Sequence, residues 1–250
     1  DGEFSEMICD KEYQDAGIRN FLFDTKGRTW IVNYNGVLKQ QGDIKTIYNL
    51  DNGLPSSQAR RIFQDSQERI WIGTKTGGII NFKENLDHVV YNKSNGLESN
   101  YIVSIEEDLE NNIVVGTNAG GLALIDPQGN VLTKHLKEDD SGILIFNTHI
   151  DENNSYFLCT NIGLFHFAKG VFTHIYLNDG IESKAFFDLV DDQIGGYWLT
   201  SNFGILRIEK SDIDDFVKAK KATVPYDLFD DHEGMLNNEC TGATRSFFDD

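Results

Sequence analysis

The chain has 250 residues, and six are histidines: His88, His135, His149, His166, His174 and His232. None lies at the i, i+4 spacing of a zinc-binding helix, and none has a cysteine partner at zinc-site spacing. His166 and His174 are the best placed as ligands, but both read as strand-surface side chains. The acidic stretches Glu106-Glu107-Asp108 and Asp188, Asp191, Asp192 have the oxygen ligands calcium takes. Neither follows the calcium-loop pattern, so solvated turn acids are expected and no metal site is. There is no Gly-x-Ser-x-Gly elbow and no P-loop. Two acids distant in sequence would suit glycoside hydrolysis, yet among 40 acidic residues such a pair arises by accident. Cys9, Cys159 and Cys240 form no C-x-x-C pair, and no disulfide framework is expected. Cys159 follows Tyr156, Phe157 and Leu158, which suits a small buried thiol. The expectation is a chain that is not itself an enzyme and needs no cofactor.

Binding chemistry is better supported. Asn20, Arg61, Ser104, Asn147 and Asp188 recur at intervals of 41, 43, 43 and 41 residues, and all are polar. The next column, Phe21, Ile62, Ile105, Thr148 and Leu189, is mostly apolar. Such alternation marks a strand with one side facing a wet channel, where a small ligand and solvent alone are equally open readings. Arg60, Tyr101 and Phe186 stand near the starts of the same segments, where they offer a charge or a stacking face to a sugar. The competing reading of these three is plain packing.

The elements that carry these columns come from a repeat. Trp30, Trp71, Val114, Phe157 and Trp198 anchor a common frame. Six residues before each anchor stands an aspartate: Asp24, Asp65, Asp108, Asp151, Asp192. Six residues after each stands a glycine: Gly36, Gly77, Gly120, Gly163, Gly204. An aspartate opening a turn hydrogen-bonds the backbone two residues on. Three residues after it come Gly27, Glu68, Asn111, Asn154 and Gly195, four of which tolerate a left-handed backbone. Each aspartate therefore opens a hairpin, with the anchor in the outgoing strand. Four short strands per repeat of 40 to 45 residues predict an all-β propeller of four-stranded blades. A β-sandwich is the alternative, but it has no reason to repeat both columns. The repeats run over about 16–50, 51–93, 94–137, 138–177 and 178–210. Ser211 to Lys221 reads as a short helical insertion on the blade surface, with Ser or Asp as cap and lysines at its end. A partial last repeat is expected over 222–250.

Residues 52–82, NGLPSSQARRIFQDSQERIWIGTKTGGIINF, join a GLPS turn, an inner strand ending in Asp, a WIGT strand and a Gly-Gly aliphatic strand. This pattern resembles the two-component regulator propeller repeat. The third repeat keeps GLESN and VVGT, while the fourth loses the GLPS turn. The resemblance implies a periplasmic sensor region of a bacterial hybrid two-component or diguanylate cyclase signalling protein. It implies five to six blades of a seven-bladed propeller, a small-molecule or glycan ligand, and an output domain elsewhere in the protein. No kinase histidine box and no GGDEF motif occurs here.

A net charge of −18 argues against binding nucleic acid through a positive field. No apolar run approaches the ~20 residues of a membrane helix, and no signal peptide is visible. The rival readings are a protein-interaction scaffold that docks a partner or forms a homodimer, and a propeller lyase or glycosidase with converging acids or a histidine in the channel.

Overall fold

The computed structural model describes residues 17–178 and 185–240. They form five four-stranded antiparallel sheets, each with its strands in sequence order. The first blade holds β1–β4 (Asn20–Phe23, Thr29–Asn33, Gly36–Gln41, Ile44–Tyr48) and the second β5–β8 (Ala59–Gln64, Ile70–Thr74, Ile79–Phe82, Val89–Tyr91). The third holds β9–β12 (Ile102–Glu107, Ile113–Thr117, Leu122–Ile125, Val131–Lys134) and the fourth β13–β16 (Ile145–Ile150, Tyr156–Thr160, Gly163–Ala168, Val171–Ile175). The fifth holds β17–β20 (Phe186–Asp191, Gly196–Ser201, Ile205–Glu209, Asp227–Phe229). The inner strands β1, β5, β9, β13 and β17 lie side by side in that order.

The aspartate column works as its spacing requires. In all five hairpins one carboxylate oxygen accepts from the amides two and four residues on, as Asp65 does from Gln67 N at 3.0 Å and Arg69 N at 2.8 Å. The residue three after each aspartate has positive φ, including Glu68 at 61°, where side-chain type alone argued otherwise. In the first two blades the other oxygen takes side-chain partners that include the anchor tryptophan. Trp30 Nε1 donates to Asp24 and Trp71 Nε1 to Asp65, both at 2.7 Å. The WIGT threonine has a local role as well: Thr74 Oγ1 donates to Gly78 O at 2.9 Å, and Thr117, Thr160 and Ser201 repeat the bond. At Gly36, φ is 138° and a Cβ would sit 2.1 Å from Tyr48 O, so only glycine fits.

Burial runs between blades. Trp30, Val32 and Val37 of the first blade pack on Ile62, Ile72 and Ile80 of the second. Trp71 and Ile79 then meet Ile113 and Val115, and Val114 and Leu122 meet Leu158 and Phe165. Phe157 and Leu164 meet Tyr197 and Leu206. The two outermost faces differ. Phe21 is 52 % exposed and Phe23 70 %, whereas Ile62, Ile105 and Leu189 of Phe21's column are buried. Trp198, in the last blade, is half-buried, unlike the other four anchors.

Two expectations are corrected. The helix, α1 (Lys210–Val217), has Glu209 at its N-cap and no side-chain cap. It continues straight out of β19, with Lys210 N bonded to Gly195 O at 2.9 Å, so the ladder rather than a serine or aspartate sets its start. Ile213 buries it against the fourth and fifth blades. Residues 227–229, expected in a partial last repeat over 222–250, pair with β19 as the fourth strand of the fifth blade. The apolar side chain of Leu228 faces Leu206 there, which closes the blade instead of opening another. Cys9 lies outside the described residues.

Candidate functional site

The polar column on the inner strands spans from blade to blade. Asn20 Oδ1 accepts from Ile62 N at 3.2 Å, and Arg61 Nε donates to Val103 O at 2.5 Å. Asn147 Nδ2 donates to Asp188 Oδ1, which also accepts from Leu189 N at 2.9 Å. Ser104 is buried with no partner for its hydroxyl. An inner strand pairs on one edge only, and these side chains reach the backbone or polar groups of the next strand. Burial lowers the Arg61 pKa to about 10, helped by repulsion from Arg60, while Asp188 opposes the shift.

At the starts of the inner strands, cations and rings alternate. The Arg19 guanidinium lies 4.3 Å from the Tyr34 ring centre, and Arg60 lies 5.0 Å from that of Tyr101. Arg60 Nη1 donates to Tyr34 Oη at 3.3 Å, and Lys75 Nζ stands 6.0 Å from the Tyr101 ring. Arg60 Nε is buried without a partner. Phe186, in contrast, is only 1 % exposed and packs edge to face on Phe203, so it offers no stacking face. Arg19 was legible in the sequence, since it shares Arg60's repeat position. Tyr34 comes from the β2–β3 loop and Lys75 from the β6–β7 loop, and no inner-strand column points to them.

At the other end of the strands lies a cavity of about 380 Å³. Glu106 and Glu107 of β9, Asn147, Thr148, His149 and Ile150 of β13, and Asp188 to Asp191 of β17 line it, with Gln193. It therefore collects two of the expected residues, Asn147 and Asp188. Glu107 is held from the second blade by Ser66 N at 2.6 Å and Ser66 Oγ at 2.9 Å. Lys210 Nζ meets the Asp191 carboxylate at 2.6 Å. Burial lowers the pKa of His149 although Asp191 and Asp151 pull it up, so the ring is neutral near pH 7.

His166, His174 and Cys159 are packed into the blades. His174 stacks on Phe165 at 4.4 Å and His166 lies on Phe157 at 4.9 Å. Burial raises the Cys159 pKa well above the ordinary thiol value, which leaves the group unreactive. Among the described residues, the one cluster with metal-ligand proximity is Asp230, Asp231 and His232, on an exposed turn. No helix among those residues is long and apolar enough to cross a membrane.

Comparison with known proteins gives a consistent fold. Residues 53–76 match the family model described as two component regulator propeller. The extracellular domain of BT3049 from B. thetaiotaomicron, assigned as a hybrid two component system, is 18 % identical with a TM-score of 0.50. That match covers 89 % of this chain but 35 % of the BT3049 domain, so the chain spans about a third of it. Virginiamycin B lyase from Staphylococcus aureus is 16 % identical, with a TM-score of 0.64 and coverage of 79 % here and 68 % there. YCF48 bound to D1 peptide is 15 % identical, with a TM-score of 0.61 and coverage of 89 % and 70 %. No curated protein sequence matches. Residues 53–76 carry the two-component regulator propeller repeat, within an all-β propeller fold.

Proposed function

We propose that this propeller is a ligand-sensing extracytoplasmic domain of a bacterial transmembrane signalling protein. It binds a small molecule, with saccharides the leading class, and passes the change to a kinase or cyclase output domain elsewhere in the protein. Periplasmic placement belongs to the same reading. The observation that carries it is the cavity of about 380 Å³ between three inner strands, walled by polar groups from separate blades. Sites of this size and position suit small ligands. Binding there would bridge blades, so occupancy biases how they sit against one another. The repeat match and the likeness to BT3049 support the signalling context. A saccharide library screened by thermal shift tests it. A ligand at 100 times its Kd stabilises by about 2.7 kcal/mol, or roughly 5–10 °C for a chain this long. No shift with any saccharide or small metabolite at saturation would refute it.

A second reading, a protein-interaction or dimerisation scaffold, is favoured by the exposed Phe21 and Phe23 pair. YCF48, a propeller-type neighbour, is bound to a peptide. A concentration-dependent dimer without any small-molecule shift would favour this reading.

A further inference from the structure

The inner strands share an irregularity near their starts. The ladder to the second strand pairs Ala59 with Thr74 and Arg61 with Gly73, skipping Arg60. The same slip skips Val103 in the third blade, Phe146 in the fourth and Phe187 in the fifth. A bulge frees the extra residue from the ladder and re-aims its side chain. Bulge residues of neighbouring blades meet: Phe146 and Phe187, both half-buried, pack edge to face at 5.0 Å. Arg60 reaches both ways, with its guanidinium 5.0 Å from the Tyr101 ring centre and Nη1 donating to Tyr34 Oη at 3.3 Å. The rim is therefore cationic on the side of the first two blades and aromatic on the side of the fourth and fifth.

The charges on this rim are unpaired. Arg28, Arg69 and Arg207 each hold a hairpin aspartate. Among the described residues, no carboxylate pairs with Arg19, Arg60 or Lys75. Arg19 Nε and Arg60 Nε are buried without an acceptor, and buried donors of this kind are unfavourable. Ring faces orient both guanidinium groups, Arg19 at 4.3 Å from the centre of Tyr34, but a ring offers their N–H forks no acceptor oxygen. The crowding of charge is felt next door. Burial, then repulsion from Arg60, lowers the Arg61 pKa to about 10, with Asp188 opposing. The chain has 40 acidic side chains and a net charge of −18. Three cations kept clear of every described carboxylate in such a chain are available to an anion from outside.

We propose that this rim binds carboxylated saccharides of the uronic-acid class. Carboxylates meet the forks of Arg19 and Arg60 and the ammonium of Lys75, while sugar rings lie against Phe146 and Phe187. Guanidinium and carboxylate match through two parallel hydrogen bonds, and an aromatic ring gives the C–H face of a sugar an apolar surface to cover. The site lies at the opposite ends of the strands from the cavity of about 380 Å³. It takes from the sensor reading only the saccharide class.

Isothermal titration of the folded chain with a galacturonate trimer tests it, beside the fully methyl-esterified trimer and citrate. The ester keeps the shape without the charge, and citrate keeps the charge without the rings. The trimer is expected to bind, and each of the others at least roughly tenfold more weakly. Raising the salt from about 0.01 M to about 0.1 M should weaken the trimer several-fold, because exposed charges are then screened. Arg19→Gln and Arg60→Gln should each weaken it roughly tenfold, with the fold of each variant checked by circular dichroism. If Arg60→Gln fails to fold, Arg19→Gln and Lys75→Gln carry the test. Equal binding of the ester overturns the carboxylate contact, and equal binding of citrate overturns the saccharide class. Trimer binding that none of the three variants alters overturns the location. Silence from the trimer, with a thermal shift from another saccharide, overturns this inference and spares the sensor reading. Silence from every saccharide and small metabolite overturns both.

Discussion

Asp65→Ala would remove four hydrogen bonds with one side chain, and its cost can be worked bond by bond. Trp71 is buried, so losing its acceptor at 2.7 Å strands a donor away from water, which costs about 1–3 kcal/mol. The amides of Gln67 and Arg69 sit at an exposed turn and can turn to water, so each loses only about 0.5–1.5 kcal/mol net. The Arg69 ion pair, with the arginine side chain 27 % exposed, adds little, about 0–1 kcal/mol. The expected total is roughly 2–7 kcal/mol, large for a single substitution. Asp126 is an internal control. It caps the amides of Gln128 and Asn130 in the same way at 2.9 and 2.8 Å but holds no tryptophan, so Asp126→Ala should cost clearly less than Asp65→Ala. Urea melts followed by circular dichroism on Asp65→Ala, Trp71→Phe and the double variant give the coupling energy. A coupling of about 1–3 kcal/mol is expected, because Trp71→Phe removes the stranded donor. A coupling near zero would refute the view that the Asp65–Trp71 bond stabilises this hairpin.

Other outcomes follow from the same geometry. Gly36→Ala should destabilise far more than Gly27→Ala in the same melts: both have positive φ, but only Gly36 would press a Cβ against a carbonyl, adding to the ~1 kcal/mol conformational cost they share. Burial raises the Asp24 carboxyl, but hydrogen bonds from Trp30 and Arg28 outweigh it and hold the group below its ordinary value of 3.8. The stabilisation this gives is full above that value and is lost as pH falls through the lower folded value, so acid melting should move to higher pH in Trp30→Phe. Burial lowers the His149 pKa below 6.5, so stability is full above that pH and falls on acidification through the folded value; His149→Phe should flatten that part of a stability–pH curve, and an unchanged curve would count against it. Phe21→Ser and Phe23→Ser should change stability by less than about 0.5 kcal/mol while reducing dye binding and self-association, because both rings are exposed.

The sequence alone determined the blade. The Asp column and the threonine of the second strand act within one hairpin or one strand pair, making bonds a few residues along the chain. Local chemistry of that kind repeats with the sequence, so the fold was legible. Its limits appear wherever a contact crosses blades. Phe186 looked like a stacking face and is core, because the neighbouring blade covers it. Tyr34 and Lys75 joined the rim from loops that no inner-strand column predicts. Segment 227–229 closed the fifth blade because β19 was still unpaired on one edge after α1. The cavity gathers side chains more than 40 residues apart in sequence, and only the lateral placement of β9, β13 and β17 brings Glu106, Thr148 and Asp188 to one wall. Spacing along the chain sets which groups face the same way within a strand; which strands stand opposite one another follows from burying both faces of every sheet, and that requires the neighbouring blades to be in place.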